Sequence, residues 1–140
     1  MRRGAAGLLL LAAGCDGADQ RAAELDCQRR LVAAIDLLPS GAGRNLAMPF
    51  AAARDRLTAL PTEGCSEAQR NTAESLARLG GRLAAAAERI GEARPGLQPE
   101  PSPRTSQAIA EFSALIEQFE NRRLGQKREL DRMQAQAEGK

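Results

Sequence analysis

Histidine, tryptophan and tyrosine are absent from this chain of 140 residues, Val32 is its single valine, and phenylalanine occurs three times. Each absence removes a class of function. Without histidine, the commonest general base and metal ligand of enzyme sites is missing. Without tryptophan or tyrosine, most of the platforms on which nucleic-acid bases stack are missing too. A chain so poor in β-branched and aromatic residues is a poor source of strands. Twenty basic residues against eighteen acidic ones give a formal charge of only +2, which makes no case for nucleic-acid binding. Gly80-Gly81 follows no strand-like segment and lacks the lysine of a phosphate loop. Acid–base chemistry would fall to carboxylates such as Glu63, Glu67 or Glu111, which occupy solvated or capping positions with no second group at a telling spacing. The expectation is a protein that is not an enzyme and uses neither metal nor cofactor.

What the chain does have begins at its amino terminus. Arg2 and Arg3 precede an apolar run from Ala5 to Ala13, interrupted only by Gly7, and Gly14-Cys15-Asp16 follows. A positive start, a short apolar stretch and small residues before a cleavage point are the parts of a secretory signal. The run is about ten residues, roughly half of a bilayer-spanning helix. Leu11-Ala12-Ala13-Gly14-Cys15 resembles the lipobox of bacterial lipoproteins, with Ala12 at the position where leucine is commonest. That resemblance implies removal of residues 1–14 and attachment of acyl chains (diacylglyceryl, with a further chain such as palmitate) to Cys15. Several chains on one residue make a durable anchor. An ordinary signal peptide cut after Ala13 or Gly14, leaving Cys15 as a thiol, is the alternative. Asp16, directly after the cysteine, resembles the signal that retains enteric lipoproteins in the inner membrane. The implied location is the periplasmic face of the bacterial envelope, with the inner membrane favoured over the outer.

Removing residues 1–14 takes away two arginines and no acidic residue, so the formal charge falls to zero. It also leaves Cys27 and Cys65 as an even pair in an oxidising compartment. Reactive dithiols usually sit close in sequence, and two cysteines without histidine make a poor zinc site. A structural Cys27–Cys65 disulfide is therefore expected. Leucine, isoleucine, valine and phenylalanine make up only about a sixth of residues 15–140, while alanine abounds. Alanine is the best helix former and a poor filler of cores. A thin-cored helical domain follows, one that leans on a crosslink, a partner or self-association.

The apolar spacing predicts an all-α fold, a small bundle of three to four helices with a proline-rich connector before a long C-terminal helix. Residues 15–93 form the helical region, 94–104 the connector with Pro95, Pro99, Pro101 and Pro103, and 105–140 the last helix with a polar tail. The first helix runs from about Ala18 to Leu38, with Leu25, Leu31, Val32, Ile35 and Leu38 on one stripe and Pro39 ending it. A second opens near Pro49, stops before Pro61, and turns Phe50, Ala53, Leu57 and Leu60 inward. Ser66 and Gln69 resemble a capping box at the start of a third helix, whose seam is Leu76, Leu79, Leu83, Ala86 and Ile90. Gly80-Gly81 inside that seam implies a bend or a close neighbour, and a bend or local break is favoured.

The last helix starts between Ser102 and Ser106 and runs towards Ala135, with Ile109, Phe112, Ile116, Phe119, Leu130 and Met133 as its seam. Arg123 and Gln126 interrupt that seam, so the first half is expected to dock while the second is available to project. Arg122, Arg123, Lys127, Arg128 and Arg132 make that second half basic, either as a solvated face or as a contact with anionic headgroups.

These readings converge on a lipid-anchored helical interaction or scaffold module. Its expected partners are the membrane and an unidentified envelope protein, with a second copy as a further candidate, but not nucleic acid. Two other classes remain open. One is a membrane-to-wall linker similar to the major murein lipoprotein, using the terminal Lys140. The other is an accessory lipoprotein of a secretion or conjugation machine, such as a pilotin or a conjugative exclusion factor.

Overall fold

A computed structural model describes the backbone of residues 2–36, 47–93 and 103–139, and within them the side chains of 17–36, 47–91 and 103–139. The described residues form a bundle of four helices: α1 (Arg2–Ile35), α2 (Ala47–Thr58), α3 (Glu67–Ala93) and α4 (Pro103–Ala137). No strand occurs among the described residues. Leu38, Pro39 and connector residues 94–102 lie outside them. Pro103 and Arg104, expected in the connector, are instead the first residues of α4. Proline suits that position, because its fixed φ is already helical and its missing N–H would have had no intrahelical partner.

The ends of the helices are set by local chemistry. Ser66 caps α3: its Oγ accepts from the Gln69 N–H at 3.1 Å, and its own N–H donates to Gln69 Oε1 at 2.9 Å. That is the reciprocal box read from the sequence. Gly64, in the tight turn before it, has φ +80°, a left-handed conformation that suits glycine. A β-carbon there would also stand 3.0 Å from Ala23 Cβ of α1. The turn thus needs glycine twice, once for its shape and once for its nearness to α1.

The core is filled by a few large side chains spaced among alanines. Leu31, Ile35, Leu76, Leu83 and Phe119 are fully buried, and Ala53, Ala73, Ala84, Ala86 and Ala87 close the gaps around them. All three phenylalanines meet. Phe50 stands edge-on to both Phe112 and Phe119, with ring centroids 5.8 and 5.7 Å apart. Such edge-to-face pairs add to simple burial by about 0.5–1.5 kcal/mol each.

Gly80-Gly81 does not break α3, which is continuous from Glu67 to Ala93. The glycines instead admit α2. A β-carbon at Gly80 would lie 3.1 Å from the Phe50 carbonyl oxygen and 3.5 Å from Arg54 Cβ. The helix-propensity cost is offset by close backbone approach, which carries Phe50 into the aromatic cluster.

On α4 the buried stripe is Thr105, Ala108, Phe112, Leu115 and Phe119. Ile109, expected on the seam, is 37% exposed, and Ile116 is only half-buried. The cause is the length of α1. Asp36, just past its end, pairs with Arg123 of α4. Ile109 lies fourteen residues further along α4, roughly 21 Å beyond that pair at helical rise. Among the described helices, α1 therefore does not reach Ile109.

The adjacent glycines should respond oppositely to substitution. Gly81→Ala meets only the flexible Arg54 Cδ at 3.4 Å, so thermal melting should show a gain of up to about 1 kcal/mol from helix propensity. Gly80→Leu should push α2 away and cost about 1–3 kcal/mol. Equal effects at both positions would contradict the close approach.

Candidate functional site

Cys27 and Cys65 are joined, with Cα atoms 5.4 Å apart. The bond ties the middle of α1 to the turn that opens α3, as the sequence led us to expect. Several polar contacts converge beside it. Arg30, one turn on from Cys27, donates from Nη1 to the Pro61 carbonyl and from Nη2 to the Glu63 carbonyl, both at 3.2 Å. Arg70 Nη1 donates to the Cys65 carbonyl at 3.0 Å. The loop between α2 and α3 is thereby held from both sides, and this places Cys65 against α1.

Below the disulfide lies a glutamine relay. Gln28 is 1% exposed. Its Nε2 donates to Gln126 Oε1 at 2.9 Å and to the Gln126 carbonyl at 3.2 Å. Gln28 Oε1 accepts from Gln69 Nε2 at 3.3 Å, and the same Gln69 group donates to the Glu24 carbonyl at 2.7 Å. Three helices thus meet through side-chain amides. Among the described residues no buried side-chain nitrogen or oxygen lacks a partner. The sequence flagged Gln126 as a break in a seam and Gln69 as a cap. Gln28 sits on the apolar stripe of α1 and gave no warning, since a single polar residue among Leu25, Leu31 and Val32 reads as noise.

The second half of α4 does not project. It lies along α1, with Ala18, Ala22 and Leu25 facing Met133 and Ala137 across an open groove of about 810 Å³. Asp36 accepts from Arg123 Nη1 at 2.8 Å and from Lys127 Nζ at 3.4 Å. Arg123 also pairs with Glu120 at 2.8 Å, and that hydrogen bond, ahead of the Asp36 contact, holds its pKa above the ordinary arginine value. Glu129 pairs with Arg132; hydrogen bonding to the guanidinium lowers the carboxyl pKa and raises the arginine's. Arg123, Lys127 and Arg132, read as part of a basic tail, are therefore matched by acid groups.

Cys15 and Asp16 lie on the helical backbone of α1, one turn before Ala18. Ala18 shares its groove with Ala137. The end of the bundle that carries Cys15 is thus also the end where α4 finishes. A second groove of about 370 Å³ opens between α2 and α3, floored by Leu57, Ala73 and Ala77 beside Cys65. The three carboxylates considered from sequence are not brought together. Glu63 is exposed in the α2–α3 turn, Glu67 is the exposed first residue of α3, and Glu111 pairs with Arg89 at 3.2 Å. Among the described residues no group of three or more acidic or cysteine side chains is placed to hold a metal, and no helix is long and apolar enough to cross a membrane.

Comparison with protein-family models, with curated proteins and with solved structures gives no match.

Reducing the disulfide, which closes a separation of 38 residues, should lower unfolding free energy by about 4 kcal/mol in denaturant titrations. Gln28→Leu should cost about 1–3 kcal/mol, because the Gln69 and Gln126 amides lose a buried partner. A neutral Gln28→Leu would show that the relay is open to water.

Proposed function

We propose that the chain is a lipid-anchored protein of the bacterial envelope, tethered through Cys15 and serving as a helical interaction module on the periplasmic side. The observation that carries this reading is the order of residues at the amino terminus, Arg2-Arg3, the apolar run, then Leu11 to Cys15. Two features support it. The Cys27–Cys65 bond is of the kind that persists in oxidising compartments. Among the residues whose side chains are described, which begin at Gly17, the first buried one is Leu25, ten residues after Cys15. Asp16 supports inner-membrane retention.

A tethered binding module fits better than a catalyst. What is distinctive is shape: the groove between α1 and α4 is suited to a helix laid into it. It also fits better than a strut from membrane to wall. Because α4 finishes at the Cys15 end of the bundle, a wall crosslink at Lys140 would double back towards the anchor.

The test is the intact mass of the protein extracted from membranes, before and after reduction. The expected species starts at an acylated Cys15 and gains the hydrogens of one reduced disulfide. Cys15→Ser should leave the signal segment uncleaved and the protein unacylated. A mature species cut after Ala13 or Gly14 with an unmodified Cys15 would sink the proposal.

A further inference from the structure

Arginine is unevenly matched by acid over the surface, and the imbalance has a pattern. Ser75 and Arg89 of α3 both touch α4: Arg122 Nη1 donates to Ser75 Oγ at 2.6 Å, and Arg89 pairs with Glu111. Arg78 and Arg82 fall between them at spacings of three and four on the outer side of α3, where Arg78 also lines the groove towards α2. On α4 the corresponding stripe begins at Glu111 and continues through Gln118, Asn121, Gly125, Arg128 and Arg132 at the same alternating spacing. Arg78, Arg82, Arg89, Arg128 and Arg132 are exposed, and Arg122 is half-buried. Two carboxylates answer these six arginines, Glu111 on Arg89 and Glu129 on Arg132. Among the described residues Arg78, Arg82, Arg122 and Arg128 have no ion pair within 4.0 Å. Glu74 and Glu117 border the strip without pairing to it. Four unmatched positive charges thus lie on one face of a chain whose formal charge is only +2.

We propose that this α3–α4 face lies on an anionic phospholipid surface. The chemistry favours headgroups over a protein partner. Apart from its arginines, the strip presents Ala85, Ala114, Gln118, Asn121 and Gly125, and Leu124, 44% exposed at its edge between Asn121 and Arg128, is a lone leucine where a protein interface would need an apolar cluster. Arginine suits phosphate, since its fork can donate two hydrogen bonds to one group. Position agrees as well. The strip starts at Arg132, which lines the groove shared with Ala18 at the Cys15 end, and runs away from that end to Arg89. A domain tethered at one end of such a face comes to lie along the bilayer. The orientation rests on the anchoring reading above; the affinity of the face for anionic lipid does not.

The full chain is mixed with vesicles of phosphatidylcholine alone and of phosphatidylcholine with phosphatidylglycerol, and the bound fraction is followed by flotation at rising salt. The wild-type chain should favour the anionic vesicles, with the preference fading as salt rises. Each arginine near an anionic surface contributes roughly a fivefold gain in binding. Arg82→Gln/Arg128→Gln should therefore cut the anionic preference by roughly 25-fold at low salt. The control, Arg29→Gln/Arg56→Gln, changes net charge equally on other faces and should keep most of it. All four side chains are exposed, so both variants should melt like the parent. Equal losses in both variants, or no anionic preference in the wild type, would overturn the proposal. Acylation is read separately by mass: an unmodified Cys15 with the face effect intact removes the anchor and leaves the face standing.

Discussion

Close approach between helices is the constraint on which this fold rests. A chain with so few large apolar residues cannot separate its helices by the width of two leucine layers and still exclude water. It must bring backbones together over alanine and glycine, so that each large side chain touches more than one neighbour. Gly80 allows this between α2 and α3, and the Phe50 ring thereby meets Phe112 and Phe119 of α4. Where close approach ends, burial ends too. Past the reach of α1 the outer apolar side chains of α4, Ile109 among them, are left exposed.

The packing of α1 follows a different logic from that of the other three. The aromatic cluster joins α2 to α4, whereas α1 adds polar ties through Gln28, the disulfide and Asp36 to the burial of Leu31 and Ile35. Polar contacts of this kind contribute modestly when made and cost substantially when broken. They are also directional, so they fix the register of α1 against α4 where alanines alone would let it slide. The acid–base pairing of α4 divides along the same line. The side facing α1 is matched by Asp36 and Glu120, while the side bordering α3 keeps its unmatched arginines.

Much of this was legible in the sequence, and the failures are instructive. The capping box at Ser66, the turn of α2 near Pro49 and the Cys27–Cys65 bond are local or nearly combinatorial features, and they stand as expected. The error at Gly80-Gly81 came from weighing helix propensity without a neighbour to explain the glycines. The error at Ile109 came from a heptad pattern that knows nothing of where the partner helix stops. Gln28 was overlooked because periodicity counts apolar residues and gives no sign of a polar one that is satisfied by amides on two other helices. The pairing within the basic stretch escaped notice for a related reason: charge runs are read along the chain, while Asp36 reaches Arg123 and Lys127 across the fold. The reading of Cys15 and Asp16 belongs to a linear recognition signal, and its test is chemical rather than geometric.

The disulfide also determines how the domain would transmit force. If the chain is tethered at Cys15 as proposed, a pull on a partner held by α2 or α3 does not have to pass through the packed upper half of α1. It travels along about three turns of helix to Cys27, crosses one covalent bond to Cys65, and enters α3 directly. The hydrophobic contacts of Leu31 and Ile35 then lie off the line of tension. Under reducing conditions the same load would shear α1 out of the core.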